Sequence, residues 1–182
     1  DMDDEGMSID ILESTDSDIC YLMPANQYPT GVIMPINRRR ELISWCYEKS
    51  DRYIIEDDYD SEFRFVGKPI PAMQGLDPSK IIYMGTFSKA IAPAIRVAYM
   101  VLTEKLMEEY ESKIKFISCT VPRSDQNILE TFINEGYFER HLNRMRTNYR
   151  LKRDALIESI RNNLPQAKVF ENNSGLHILL TL

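Results

Sequence analysis

Cysteine is scarce in this sequence, with Cys20, Cys46 and Cys119 far apart. An odd number with no C-x-x-C pair excludes a disulfide framework and a zinc ribbon and favours a reducing, cytoplasmic setting. Histidine is scarcer still. His141 and His177 stand apart without neighbouring cysteines, which argues against a histidine-based metal site. No apolar run approaches the length of a membrane span, and the acidic start has no apolar signal-like region. Positive charge is not in excess. A net charge of −6 argues against the chain gripping a phosphate backbone by itself. A G-x-x-x-x-G-K-[ST] loop is missing, so a metal-dependent nucleotide enzyme lacks its main signature. There is no internal repeat and no low-complexity tract.

With 43% hydrophobic residues in 182, there is material for one core or one core plus an appendage. The lack of Met at position 1, the acidic residues 1–5 and the strand-like apolar run 175–182 read as two cuts inside a longer protein.

Residues 19–23 form a short apolar run closed by Pro24, which predicts a strand. Residues 26–31 carry turn chemistry. Asn37 is the expected cap of a helix to about residue 49, with Leu42, Ile43, Trp45 and Cys46 apolar. Residues 53–55 and 81–84 predict buried strands, and 96–102 another. Residues 61–78, with Pro69, Pro71, Gly75 and Pro78, predict a loop. The link from Met84 to Arg96 is too short for a crossover helix, so those two strands are expected to run antiparallel. Thr103 and Ser124 are expected helix caps, the first ahead of a face formed by Leu106, Tyr110, Ile114 and Ile117. A long helix over 139–163 bears Leu142, Met145, Tyr149, Leu156 and Ile160 as its stripe. Residues 169–170 and 176–180 predict strands. Strands that alternate with helices or loops indicate an α/β protein, whose ligands bind beyond the carboxyl ends of the strands.

Three polar segments fall at such ends: 26–31, 57–62 and 85–89. In Gly85-Thr86-Phe87-Ser88-Lys89, Gly85 permits a turn, two hydroxyls could serve an anion, and Lys89 is expected at the sheet edge rather than on a helix. Arg96, seven residues on, has the planar fork that suits a phosphate. A surface lysine and a strand-edge arginine would give the same pattern. In Glu56-Asp57-Asp58-Tyr59-Asp60 the carboxylates repel one another unless a positive group lies among them, either a metal ion or a protonated ring nitrogen. A solvated acidic loop is the other reading. Six arginines on the long helix (140, 144, 146, 150, 153 and 161) read as a solvated face or a subunit or domain contact, since acids interleave them.

An imine-forming lysine, phosphate ligands and an aspartate for a ring nitrogen are together what pyridoxal phosphate requires. The strings N-Q-Y-P-T-G (26–31), I-E-D-D-Y-D-S-E-F-R (55–64), Y-M-G-T-F-S-K (83–89) and the segment 93–99 resemble fold-type-I aminotransferases. More narrowly, they resemble the aminotransferase-like domain of MocR/GntR-type bacterial transcription regulators. The likeness covers nearly the whole chain. It implies a fragment of the class I/II aminotransferase large domain over 1–135, a mostly parallel sheet with flanking helices. An interdomain helix and the start of the small C-terminal domain would follow over 136–182. It implies that Lys89 forms an internal aldimine with pyridoxal 5'-phosphate, that Asp57 pairs with the pyridine nitrogen, and that Tyr59 donates to the phenolic oxygen. Thr86 and Arg96 would bind the phosphate with help from Ser88. The slot that holds an asparagine before P-T-G in transaminases is Tyr28 here, with Asn26 two residues earlier.

The implied function is effector sensing, in which an amine or amino acid exchanges with Lys89. The alternative is a working aminotransferase. The implied parent is a cytoplasmic homodimer without membrane contact, and its DNA contact would come through a winged helix upstream of this chain. Upstream and downstream parts of the family's site also fall outside the chain, so it is expected to bind the cofactor weakly or not at all by itself.

Overall fold

The computed structural model describes residues 1–67, 70–170 and 174–182. Pro69, from the expected loop, lies outside the described residues. The chain divides into two compact units.

The first, a sheet unit, comprises Asp1–Tyr59, Ile70–Thr86 and Ala98–Ser118. It opens with β1 (Met2–Asp3) and β2 (Gly6–Met7), an antiparallel pair, and α1 (Ile9–Glu13). Next come β3 (Ile19–Leu22), α2 (Ile36–Tyr47) and β4 (Tyr53–Asp58). A 3₁₀ turn (Met73–Gly75) precedes β5 (Ile81–Thr86). The sheet order is β3-β4-β5-β6, where β6 is Ala98–Val101. The first three strands are parallel and β6 runs antiparallel to β5, as the short link requires. The core gathers Cys20, Leu22, Leu42, Trp45, Cys46, Ile54, Met73 and Ile81. Alternation along β3 and β4 turns Cys20, Leu22 and Ile54 inward. The Arg52 guanidinium lies 4.3 Å over the Trp45 ring and donates to the Trp45 carbonyl oxygen at 3.0 Å.

The cap of α2 is Pro35 and not Asn37, and no side chain caps it. A proline at this position fixes the extended entry by its own ring, so an Asx cap is not needed. Thr103 does cap the unit's last helix, α4 (Glu104–Lys113), and accepts from the Leu106 N–H at 3.3 Å. Helix α4 stops at Lys113, so Ile117 is not on its face and is 57% exposed.

The second, a helical unit, comprises Asp60–Pro69, Phe87–Val97 and Cys119–Leu182. It holds α3 (Phe87–Ala90), α5 (Arg123–Asn134) and α6 (Tyr137–Asn163). An antiparallel pair, β7 (Lys168–Phe170) and β8 (Leu179–Thr181), follows. Pro122 caps α5, and the expected cap Ser124 lies within its first turn. Gly136, at φ 72°, divides α5 from α6, a conformation that favours glycine. The Phe63 ring meets Tyr149 edge-on at 5.1 Å. Leu129, Leu142 and Ile157 are buried.

Candidate functional site

In the sheet unit the parallel strands end in register. Leu22 pairs with Glu56, and Asp58 pairs with Gly85. The residues just beyond these ends are therefore neighbours at the carboxyl edge, the place where open α/β sheets take ligands.

Strand alternation separates the three carboxylates of β4, and the fourth, Asp60, lies past the strand, is buried and accepts from the Leu176 N–H at 3.3 Å. Glu56 is buried and accepts the N–H groups of Met73 at 2.8 Å and Gln74 at 2.9 Å. Burial raises its pKa against the opposing pull of those two bonds and of Arg39. Asp57 accepts a hydrogen bond from the Tyr21 phenol. Desolvation first, then Asp57, pushes the Tyr21 pKa up to about 12, so Tyr21 remains a donor in this bond. Asp58 accepts from the Tyr83 hydroxyl at 2.8 Å, and burial followed by Asp58 raises the Tyr83 pKa.

The positive group among the acids is Arg39, which the sequence reading missed. Arg39 is 2% exposed and donates to three carbonyl oxygens: Met34 at 3.0 Å, Pro71 at 2.8 Å and Pro24 at 2.9 Å. The charges of Glu56 and Asp58 act on it favourably. A signal was available, because Arg39, Leu42 and Cys46 share one face of α2 at i, i+3 and i+7. No group of three or more His, Cys, Asp or Glu suited to a metal occurs among the described residues.

Asn26 and Tyr59 meet. The Tyr59 hydroxyl donates to the Asn26 carbonyl oxygen at 3.0 Å, and the Asn26 amide lies 3.5 Å from that hydroxyl. Asn26, set against Tyr59, is 2% exposed, whereas Tyr28 is 60% exposed. Thr86 ends β5, beside the end of β4. Gly85 is not in a turn but inside β5. A Cβ there would fall 2.4 Å from Cζ of Tyr99, so any larger residue would have to displace the ring of the facing residue on β6.

In the helical unit, Ser88 and Lys89 lie on α3. This corrects the expected turn: Lys89 sits on a single helical turn and is exposed. The Ser88 hydroxyl donates to the Ile95 carbonyl oxygen at 2.7 Å, and the Phe87 N–H donates to that of Val97 at 3.0 Å. These two bonds fold the segment carrying Arg96 back onto α3. Arg96 is exposed.

No family model matches the chain. The uncharacterized HTH-type transcriptional regulator YhdI of Bacillus subtilis is 44% identical over 182 residues, 99% of this chain and 39% of its own length. The probable rhizopine catabolism regulatory protein MocR of Rhizobium meliloti is 36% identical over 88% of this chain and 33% of its own length. Over almost its whole length the chain is thus similar to a part of MocR/GntR-type regulators. It spans about two fifths of the length of the curated relatives YhdI and YdeL. Its fold is that of fold-type-I aminotransferases. A kynurenine aminotransferase of Pyrococcus horikoshii, solved with PMP, superposes with a TM-score of 0.84 at 32% identity, covering 100% of this chain and 47% of that one. The chain therefore has the fold of an aminotransferase segment.

Proposed function

We propose that this chain is the pyridoxal-phosphate-binding, effector-sensing domain of a cytoplasmic, homodimeric MocR-type transcription regulator. The parent would contact DNA through a winged helix N-terminal to it. Residues 1–135 would belong to the cofactor-binding large domain, and 136–182 to the interdomain helix and the start of the small domain. One observation carries this reading: Asn26, Asp57, Tyr59 and Thr86 lie at or just past the ends of three adjacent parallel strands, and β5 runs straight into the turn bearing Ser88 and Lys89.

The donor set fits the cofactor. Asp57, whose carboxylate accepts from the Tyr21 phenol, suits a protonated ring nitrogen. The Tyr59 hydroxyl, oriented by Asn26, suits the ring's phenolic oxygen. Tyr28, in the slot before P-T-G, is at most an auxiliary contact. Thr86, Ser88 and Arg96 offer hydroxyls and a fork for the phosphate. When bound, pyridoxal phosphate supplies a carbonyl for amines and an electron-withdrawing ring. Lys89 supplies the attachment amine, and the amino group of an amine or amino-acid effector competes with it. Binding by this chain alone is weak or absent, since the family's site draws on residues outside it.

A second reading is a working aminotransferase, favoured by the likeness to the kynurenine enzyme at 32% identity. Lys89 would then also carry the proton between substrate carbon and cofactor. The test is to add single amino acids to the cofactor-loaded full-length protein. The sensing reading expects a spectral shift and altered DNA affinity without keto-acid formation. Sustained turnover with an added keto acid would replace sensing with catalysis. No shift with any amine would contradict both.

A further inference from the structure

Away from the residues discussed above, the helical unit holds a concavity of about 320 Å³ lined by Arg64, Phe65, Asn143, Arg146, Thr147 and Arg150. Its spacing explains its chemistry. Residues 143, 146, 147 and 150 recur at three and four along α6 and so share a face. Arg64 comes from the segment that follows β4.

Three guanidinium groups meet here. The Arg146 Nε donates to the Glu62 carbonyl oxygen at 2.6 Å, and its Nη1 donates to Asn143 Oδ1 at 3.1 Å. Both acceptors are neutral. Among the described residues no ion pair involves Arg64, Arg146 or Arg150, and no acidic side chain lines the concavity. Two like charges at i and i+4, as at Arg146 and Arg150, repel. The Nε of Arg64 is buried with no hydrogen-bond partner. Ser174, bridged to Arg64 in antiparallel fashion, has a buried hydroxyl oxygen in the same condition. A buried unsatisfied donor is costly, and a charged acceptor relieves it best.

We propose that this concavity binds a small anion, a phosphate or carboxylate group on a compact ligand, at a site separate from the cofactor residues. Arg64 and Arg150 supply the charge-assisted hydrogen bonds. Arg146, held by Glu62 and Asn143, adds a fixed positive charge. A concave, closely lined site suits a compact anion better than a nucleic-acid backbone, and the chain's net charge of −6 opposes the latter. The proposal does not rest on the cofactor reading, since none of its residues belongs to that set.

The test is calorimetric titration of the full-length protein, saturated with pyridoxal phosphate so that its own phosphate site is filled. Inorganic phosphate and, separately, succinate are titrated at low salt. We expect one saturable equivalent of at least one of them, weakened about tenfold or more by Arg150→Gln and by Arg64→Gln, as loss of a charge-assisted bond implies. Arg150 is exposed, so its variant keeps the fold and decides the matter if Arg64→Gln unfolds. Saturable binding by neither anion, or binding unchanged by Arg150→Gln, would overturn the site. Displacement of the bound anion by an unrelated short DNA duplex would assign the face to nucleic acid and overturn it too.

Discussion

The two units bury their apolar residues differently. In the sheet unit, Leu42, Trp45, Cys46, Ile54 and Ile81 are 0–1% exposed and surround one core. In the helical unit, the 27-residue α6 buries Leu142 and Ile157 while Leu151 and Leu156 stay 62% and 51% exposed. The sheet unit closes its own core, because strand alternation and one helix face agree about which side is inner. The helical unit covers its stripe only in part: Leu142 is buried, Met145, Tyr149 and Ile160 are half-buried, and Leu156 is exposed. Periodicity names the apolar face of a helix, and only tertiary packing decides whether that face is buried.

The largest expected contrast is in thiol chemistry. Cys20 and Cys46 are buried in the sheet unit, where desolvation pushes their pKa values up to about 11 and about 12. Cys119, in the helical unit, is exposed. In native protein near pH 8, an alkylating reagent should label one thiol quickly and the other two roughly 100-fold more slowly or less. Mass spectrometry counts the labels. Fast labelling of all three would mean that the sheet unit opens readily.

Core truncation comes next. Leu42→Ala should cost about 2–5 kcal/mol in urea unfolding followed by Trp45 fluorescence. Leu156→Ala should cost less than about 1 kcal/mol. Equal costs would dissolve the contrast between the units.

Glu56→Ala should cost about 1–3 kcal/mol, because the N–H groups of Met73 and Gln74 lose their acceptor. The pH dependence has a definite sign. The folded carboxyl titrates above its ordinary value, so its stabilising contribution is full below about pH 4.5 and declines as pH rises through the raised folded value. The deficit of the variant should therefore be larger at pH 4 than at pH 7.5. A deficit that grows with pH would reverse the assignment.

The smallest effect separates two capping expectations. Thr103→Ala should cost about 1 kcal/mol, whereas Ser124→Ala should be near neutral because Pro122 caps α5. Thermal unfolding followed by circular dichroism reads both.

Strong local signals were legible in the sequence. The runs at 19–23, 53–55 and 81–84 are strands β3, β4 and β5, and the short link from Met84 to Arg96 foretold the antiparallel β6. The acids at 56–58 belong to β4 itself, since pleating gives each carboxylate its own donors. What local reading missed depends on distant partners. Gly85 looked like a turn residue, yet it lies inside β5 against the ring of Tyr99 across the ladder. Arg39 is the second of three successive arginines and drew no reading of its own, yet it is buried and donates to three carbonyls far along the chain or outside its helix. The short pair β1 and β2 and helix α1 went unforeseen. Arg38 of α2, which pairs with Asp3 at 2.9 Å and Glu5 at 3.3 Å, holds that acidic start in place. Of the candidate site, the residue types and their order along the chain were readable, but the helical setting of Lys89 and the bond between Tyr59 and Asn26 were not. Both depend on how the chain folds back on itself.

The most direct test is the visible absorption spectrum of the full-length protein mixed with pyridoxal phosphate, wild type against Lys89→Ala. An absorption band of lysine-bound cofactor in the wild type that is lost in the variant is the predicted result. No band in the wild type, or an unchanged band in Lys89→Ala, would contradict the assignment of Lys89 and with it the proposed cofactor site.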